Sequence, residues 1–142
     1  MKTTCLALAL AGLLTGAASA AQTQSEINDA LRAHTGIYNG LFTAAIIKHV
    51  TDTCPEIEPP GRARRVSFFL GLYNQARGLG YSRSEIQAFV EDKGEQDRMR
   101  EVVRQHLLRA GVSDPFSERE ICAYARNEIA QRTALGRQLR ER

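Results

Sequence analysis

The number of cysteines constrains this chain more than any other feature. Residues 1–20 read as an export signal: Lys2 is the charged start, Leu6 to Leu14 is a short apolar core, and Ala18, Ser19 and Ala20 make a small-residue cleavage site. Cys5 leaves with that segment. Cys54 and Cys122 remain, in a chain directed to the periplasm or the exterior, where thiols oxidise. A bridge between them closes a long loop, and chain-entropy reasoning gives it about 4 kcal/mol. That is a large share of the roughly 5–15 kcal/mol that holds a small domain together. The alternative is a pair of buried free thiols, which an oxidising compartment disfavours.

A membrane span needs roughly 18 apolar residues, and the run near the N-terminus is about half that. A lipid anchor needs a cysteine at the cleavage point, where Ala21 stands. No later stretch is apolar enough to cross a bilayer, so the mature protein is expected to be soluble, without a transmembrane segment. Residues 21–142 have the length of one domain. The full chain carries 19 Lys and Arg against 16 Asp and Glu, a net charge of +3 that loses one unit with Lys2. The basic and acidic groups are intermixed. Nucleic-acid binders gather basic side chains on one face, so no nucleic-acid partner is expected.

Nearly every segment has helical spacing. Ile27, Leu31, His34, Tyr38 and Leu41 follow a three-or-four step. Gly36 and Gly40 weaken this helix in the middle, and it is expected to split there, with a second piece carrying Ile46, Val50 and Cys54 on one side. Cys54 to Gly61 holds three prolines and reads as a stiff connector. A helix then runs from Arg62 to Gly78 or Gly80. Val66, Phe69, Leu70 and Tyr73 sit on it at i, i+3, i+4 and i+7, the spacing of a buried stripe. Ser82 with Glu85, and Ser117 with Glu120, predict two capping boxes, with Tyr81–Ile86 and Phe116–Ile121 as hydrophobic staples. Gly94 is expected to kink or break the helical run that continues through Met99, Val103, His106 and Leu107. Cys122, Ala125 and Ile129 share a face of the last long helix, and the arginine-rich end of the tail is expected to fray. The fold class is all-α: one domain of four to six helices with one disulfide, and no strand-like alternation.

The chain offers little chemistry. His34, His49 and His106 are far apart and lack the paired spacing of a metal site. No nucleophile elbow, phosphate cradle or calcium loop is present. No metal, cofactor or catalytic residue is expected. The one local charge anomaly is Arg62, Arg64 and Arg65 at a helix start, where they oppose the helix dipole at a cost of about 0.3–1 kcal/mol. They are candidates for contact with an anionic partner, unless Glu56 and Glu58 just upstream neutralise them.

Three stretches together, Thr53-Cys54-Pro55, Gly80 to Phe89 with Asp92-Lys93, and Cys122 with Asn127 to Ala130, resemble a family of small exported alphaproteobacterial proteins of unknown function. The resemblance spans roughly Thr53 to Arg140. It implies export, a disulfide and a helical fold, and carries no catalytic residue. The sequence thus points to a non-enzymatic periplasmic protein that binds another macromolecule, of inhibitor, immunity or accessory type, with a protein as partner. Two alternatives are a small periplasmic enzyme whose site forms only in three dimensions, around His106 with Glu101 or Tyr73, and a protein held to the anionic envelope by its arginines. Partner identity and oligomeric state are left open.

Overall fold

The computed structural model describes residues 21–142; the export signal read in residues 1–20, with Cys5, lies outside them. Short polar side chains set the helix starts. Thr23 caps α1 (Gln24–Ala33) by accepting from the Glu26 N–H, and the Glu26 carboxylate accepts from the Thr23 N–H at 2.7 Å. The chain then turns at His34, whose extended backbone ends α1. Its Nδ1 accepts from the Ile37 N–H at 3.3 Å and so opens α2 (Thr35–Thr53). The expected split therefore falls at His34, and Gly36 and Gly40 lie inside a continuous helix. Gly40 is instead a crossing point: the Leu72 side chain from α3 (Arg62–Gly78) fills the space a Cβ would need.

Ser82 and Glu85 form the complete capping box predicted for α4 (Arg83–Glu91), and Tyr81 packs beside Ile86 as the staple requires. The next break comes at Asp92 rather than Gly94. Asp92 ends α4 and caps α5 (Lys93–Arg109) by accepting from the Glu95 N–H at 2.9 Å. The box at α6 (Glu118–Ala130) is only half formed. Ser117 accepts from the Glu120 N–H, but the Glu120 carboxylate takes the N–H groups of Ser113 and Asp114 instead of returning to Ser117. Phe116 is 74% exposed and staples nothing.

Two clusters make the core. One joins Ile46 and Val50 of α2 and Cys54 at its C-cap to Val103 and Leu107 of α5 and to Ile121, Cys122 and Ala125 of α6. The other joins Ile27 and Leu31 of α1, Ile37 of α2, Ala76 of α3, and Ile86 and Phe89 of α4. The disulfide Cys54–Cys122 sits in the first cluster, with a Cα–Cα separation of 5.2 Å. Both cysteines are buried, as a structural bridge requires.

The tail does not fray. Gly136 rests directly against the Glu128 carbonyl, where any side chain would collide, and Leu139 is buried in the first cluster. A short antiparallel pair then forms, β1 (Ile57–Glu58) with β2 (Arg140–Glu141), and the Arg142 N–H donates to the Glu56 carbonyl at 3.0 Å. Each strand is two residues long, too short to show an alternating pattern in the sequence. The architecture is all-α, and among the described residues it has six α-helices, one disulfide and this one small ribbon. No helix among the described residues is long and apolar enough to cross a membrane.

The stripe expected to bury α3 does not. Val66, Phe69 and Leu70 are 59%, 50% and 55% exposed, and α3 buries Leu72 and Ala76 instead. The physical reason is that, among the described residues, only the C-terminal half of α3 finds neighbours that bury it. Every residue from 61 to 71 is exposed.

Candidate functional site

The exposed half of α3 begins where the connector ends. Pro59 and Pro60 cannot extend a helix, and Gly61 at the cap offers no side-chain acceptor. The first-turn N–H groups thus lack a capping side chain, and three cations stand beside them: Arg62, Arg64 and Arg65. The acids expected to neutralise them are engaged elsewhere. Glu56 pairs with Arg126, and Glu58 pairs with Arg142 at 3.3 Å and Arg140 at 3.7 Å. The small ribbon, by drawing the tail alongside the connector, diverts both carboxylates to the tail and α6. Among the described residues, none of the ion pairs includes Arg62, Arg64 or Arg65.

Apolar side chains alternate with these arginines. Phe68 and Phe69 pack edge to face with centroids 5.6 Å apart. Between α2 and this part of α3 runs a groove of about 560 Å³, lined by Ala44 and Ile47 from α2, Phe68 and Phe69 from α3, and Pro59 and Pro60 from the connector. Arg64 and Arg65 also line it, with the Lys48–Asp52 ion pair of α2 at 2.6 Å. Phe68 was not part of the predicted stripe. The run Phe68-Phe69-Leu70 is the signal that marks it, because three consecutive apolar residues place apolar surface on more than one side of a helix. The arrangement can hold a surface that is anionic at its edge and apolar at its centre.

The histidines have structural partners. His34 caps α2, and the His49 Nε2 lies 2.7 Å from the Pro115 carbonyl. His106 packs edge-on to Phe42 with centroids 5.1 Å apart, and its Nε2 lies 3.2 Å from the Tyr124 hydroxyl. Burial, and secondarily the charge of Glu128, pushes the Tyr124 phenol well above its ordinary range. The side chains considered with His106 for an enzyme have other partners. The Glu101 carboxylate accepts from Arg104 at 2.7 Å and from Gln105 at 2.8 Å, and these bonds, the Arg104 one foremost, hold it down to about 2. Tyr73 packs with the other core cluster.

Cys54, Glu56 and Cys122 lie within 4.8 Å of one another, a set that thiolates could turn into a metal site. Here both sulfurs are joined and Glu56 pairs with Arg126, so the donors are spent. A second groove, of about 750 Å³, runs between α2 and α5 past Tyr38, Leu41 and Met99. Its charged lining is internally paired, Glu95 with Arg32 at 3.2 Å and with Arg98 at 3.7 Å. The α3 surface differs in leaving its arginines unmatched.

No curated protein and no solved structure matches this chain. A family match runs over residues 29–140, from the middle of α1 to the first residue of β2, and so takes in the bridge and the whole of α3. The chain belongs to the family of unknown function DUF5333.

Proposed function

We propose that this is an exported, non-enzymatic binding protein of the inhibitor, immunity or accessory kind, which docks an acidic protein surface through Arg62, Arg64 and Arg65. One observation carries the reading: these three guanidinium groups stand at the positive end of a helix with no carboxylate partner among the described residues, because Glu56 and Glu58 pair with Arg126, Arg140 and Arg142. Unmatched cations at a helix N-terminus cost stability, and a partner's carboxylates offset that cost. Arginine suits the role, since its planar fork takes a carboxylate through two parallel hydrogen bonds. The disulfide supports the compartment, because such bridges persist where thiols oxidise.

The experiment is a capture from periplasmic extract with the disulfide-bonded protein and with the Arg62→Glu/Arg64→Glu/Arg65→Glu variant. The wild type should retain a stoichiometric protein that is released by added salt, since exposed charge pairs are screened within about 8 Å at physiological ionic strength. The variant should retain none. Recovery of no stoichiometric protein, or equal recovery by the variant, sinks the reading.

A further inference from the structure

We propose that the exposed half of α3 is the interface of a homodimer, in which two copies set this helix antiparallel against its counterpart. Val66, Phe69, Leu70 and Tyr73 keep the spacing of a core-facing stripe, yet the first three are half or more exposed. A helix of this length is marginal in water unless a tertiary contact covers its apolar face. Within the described chain only its C-terminal half finds one, at Leu72 and Ala76. The missing cover is therefore not among residues 21–142.

Two observations select a second copy, and a third selects its orientation. The first is area. Val66, Phe68, Phe69 and Leu70, at 59%, 38%, 50% and 55% exposure, present on the order of 400 Å² of apolar surface. A standard interface takes about 800 Å² per partner, so these four side chains alone supply about half of one, the size of a weak, reversible contact.

The second is shape. At about 100° per residue, Phe68 and Leu70 point to nearly opposite sides of α3. A bilayer surface covers one side of a helix and favours segregated polar and apolar faces. A second copy covers two sides, because its own α3 lies beside the 560 Å³ groove along α2. A twofold axis near Phe68 makes the contact self-complementary, so the assembly closes at two copies.

The third is charge. A parallel pair would stack the two arginine triplets. The antiparallel pair places the centres of the two triplets roughly 15 Å apart, beyond the screening length. Arg62 and Arg64 then frame the interface at both ends, doubling the basic surface without consuming it.

The test is the mass in solution of the disulfide-bonded protein by sedimentation or light scattering, which needs no other protein and so fails or succeeds independently of the partner proposed above. The wild type should have twice the monomer mass of 15.7 kDa less its cleaved signal. Phe69→Asp and Leu70→Asp should each halve it. Circular dichroism and the intact bridge report that these exposed positions leave the fold unchanged. Phe116→Asp, at the most exposed large apolar side chain outside α3, should keep the dimer. A wild type that stays monomeric up to about 0.1 mM, a dimer that survives both α3 variants, or one that Phe116→Asp dissociates overturns the proposal. So does a monomer that binds vesicles of anionic phosphatidylglycerol and loses them with Phe69→Asp, which assigns the face to lipid.

Discussion

The second half of α2 and the first half of α3 are neighbours in sequence, separated only by the connector, and they carry the same kind of signal. Ile46, Val50 and Cys54 recur at four-residue steps, and so do Val66, Leu70 and, one position short, Tyr73. In the folded chain the first set is 2%, 0% and 0% exposed, while Val66 and Leu70 are more than half exposed. Helical periodicity states that a face needs cover. It does not state which chain supplies the cover. For α2 the cover is α5 and α6, fixed by a covalent bond; for the first half of α3 the described chain supplies none.

The sharpest way to break this contrast is at the bond. Cys54 and Cys122 are separated by 68 residues, and opening a loop of that size removes about 4 kcal/mol under the chain-entropy account. For a domain of this length that corresponds to roughly 15 °C in the unfolding midpoint. Cys54→Ser with Cys122→Ser should show it by calorimetry, and reductant should reproduce it in the wild type. A loss below about 1 kcal/mol means that the two-cluster core already holds α2 against α6 without the bridge, and the closed end of the molecule is then no more constrained than packing makes it.

Much of this closed end was legible in the sequence. The two cysteines, the Ser82–Glu85 box, the buried Ile46–Val50–Cys54 face and the extent of α3 all follow from short-range chemistry that leaves a local mark. The helix breaks are legible to within a few residues, but the side chains that make them are not. Gly36 and Gly94 drew attention through their low helix propensity, but His34 and Asp92, whose side chains accept backbone N–H bonds, end one helix and start the next. What the sequence hid was long-range. The β1–β2 ribbon joins segments more than eighty residues apart, and only that pairing reveals that Glu58 is lost to Arg140 and Arg142. Arg62, Arg64 and Arg65 were visible as an anomaly; that they are unneutralised follows from the ribbon and from the Glu56–Arg126 pair.

A gentler probe is acid, and it acts on the capped helices. Hydrogen bonds from the Ser82 backbone, and next from its side chain, hold Glu85 below its ordinary 4.5. The corresponding Thr23 bonds lower Glu26, and the Asp114 and Ser113 bonds lower Glu120. Each carboxyl gives up its proton more readily in the folded chain than in the unfolded one. The unfolded chain therefore binds more protons as pH falls past 4.5, so the stabilisation is complete above that value and is lost as pH drops through the folded values. Denaturation midpoints should decline steadily from pH 5 toward pH 3, and Glu85→Gln should shallow the decline. A midpoint that stays level or rises over that range contradicts the capping geometry. All three groups are open to water, so the effect is smaller than that of the bridge. None of these groups lies on α3, so the exposed arm should be indifferent.

The smallest effect is the most discriminating. In dilute solution, where any self-association is dissolved, Leu70→Ala should change the stability of the monomer by no more than about 0.5 kcal/mol, the range of ordinary surface substitutions. Leu107→Ala, at a residue with no exposed surface in the first cluster, should cost about 2–5 kcal/mol by the cavity it leaves. Both changes remove the same atoms from a leucine at a helical core position by pattern. The ratio of their effects therefore measures cover rather than composition. If Leu70→Ala costs as much as Leu107→Ala at dilutions where the chain is a monomer, then the first half of α3 is buried by its own chain, and neither its arginines nor its phenylalanines are free to meet anything else. If the cost of Leu70→Ala is near zero when dilute and grows with protein concentration, the missing cover is a second molecule of the same protein, because only self-association makes the stability of one chain depend on how much of it is present.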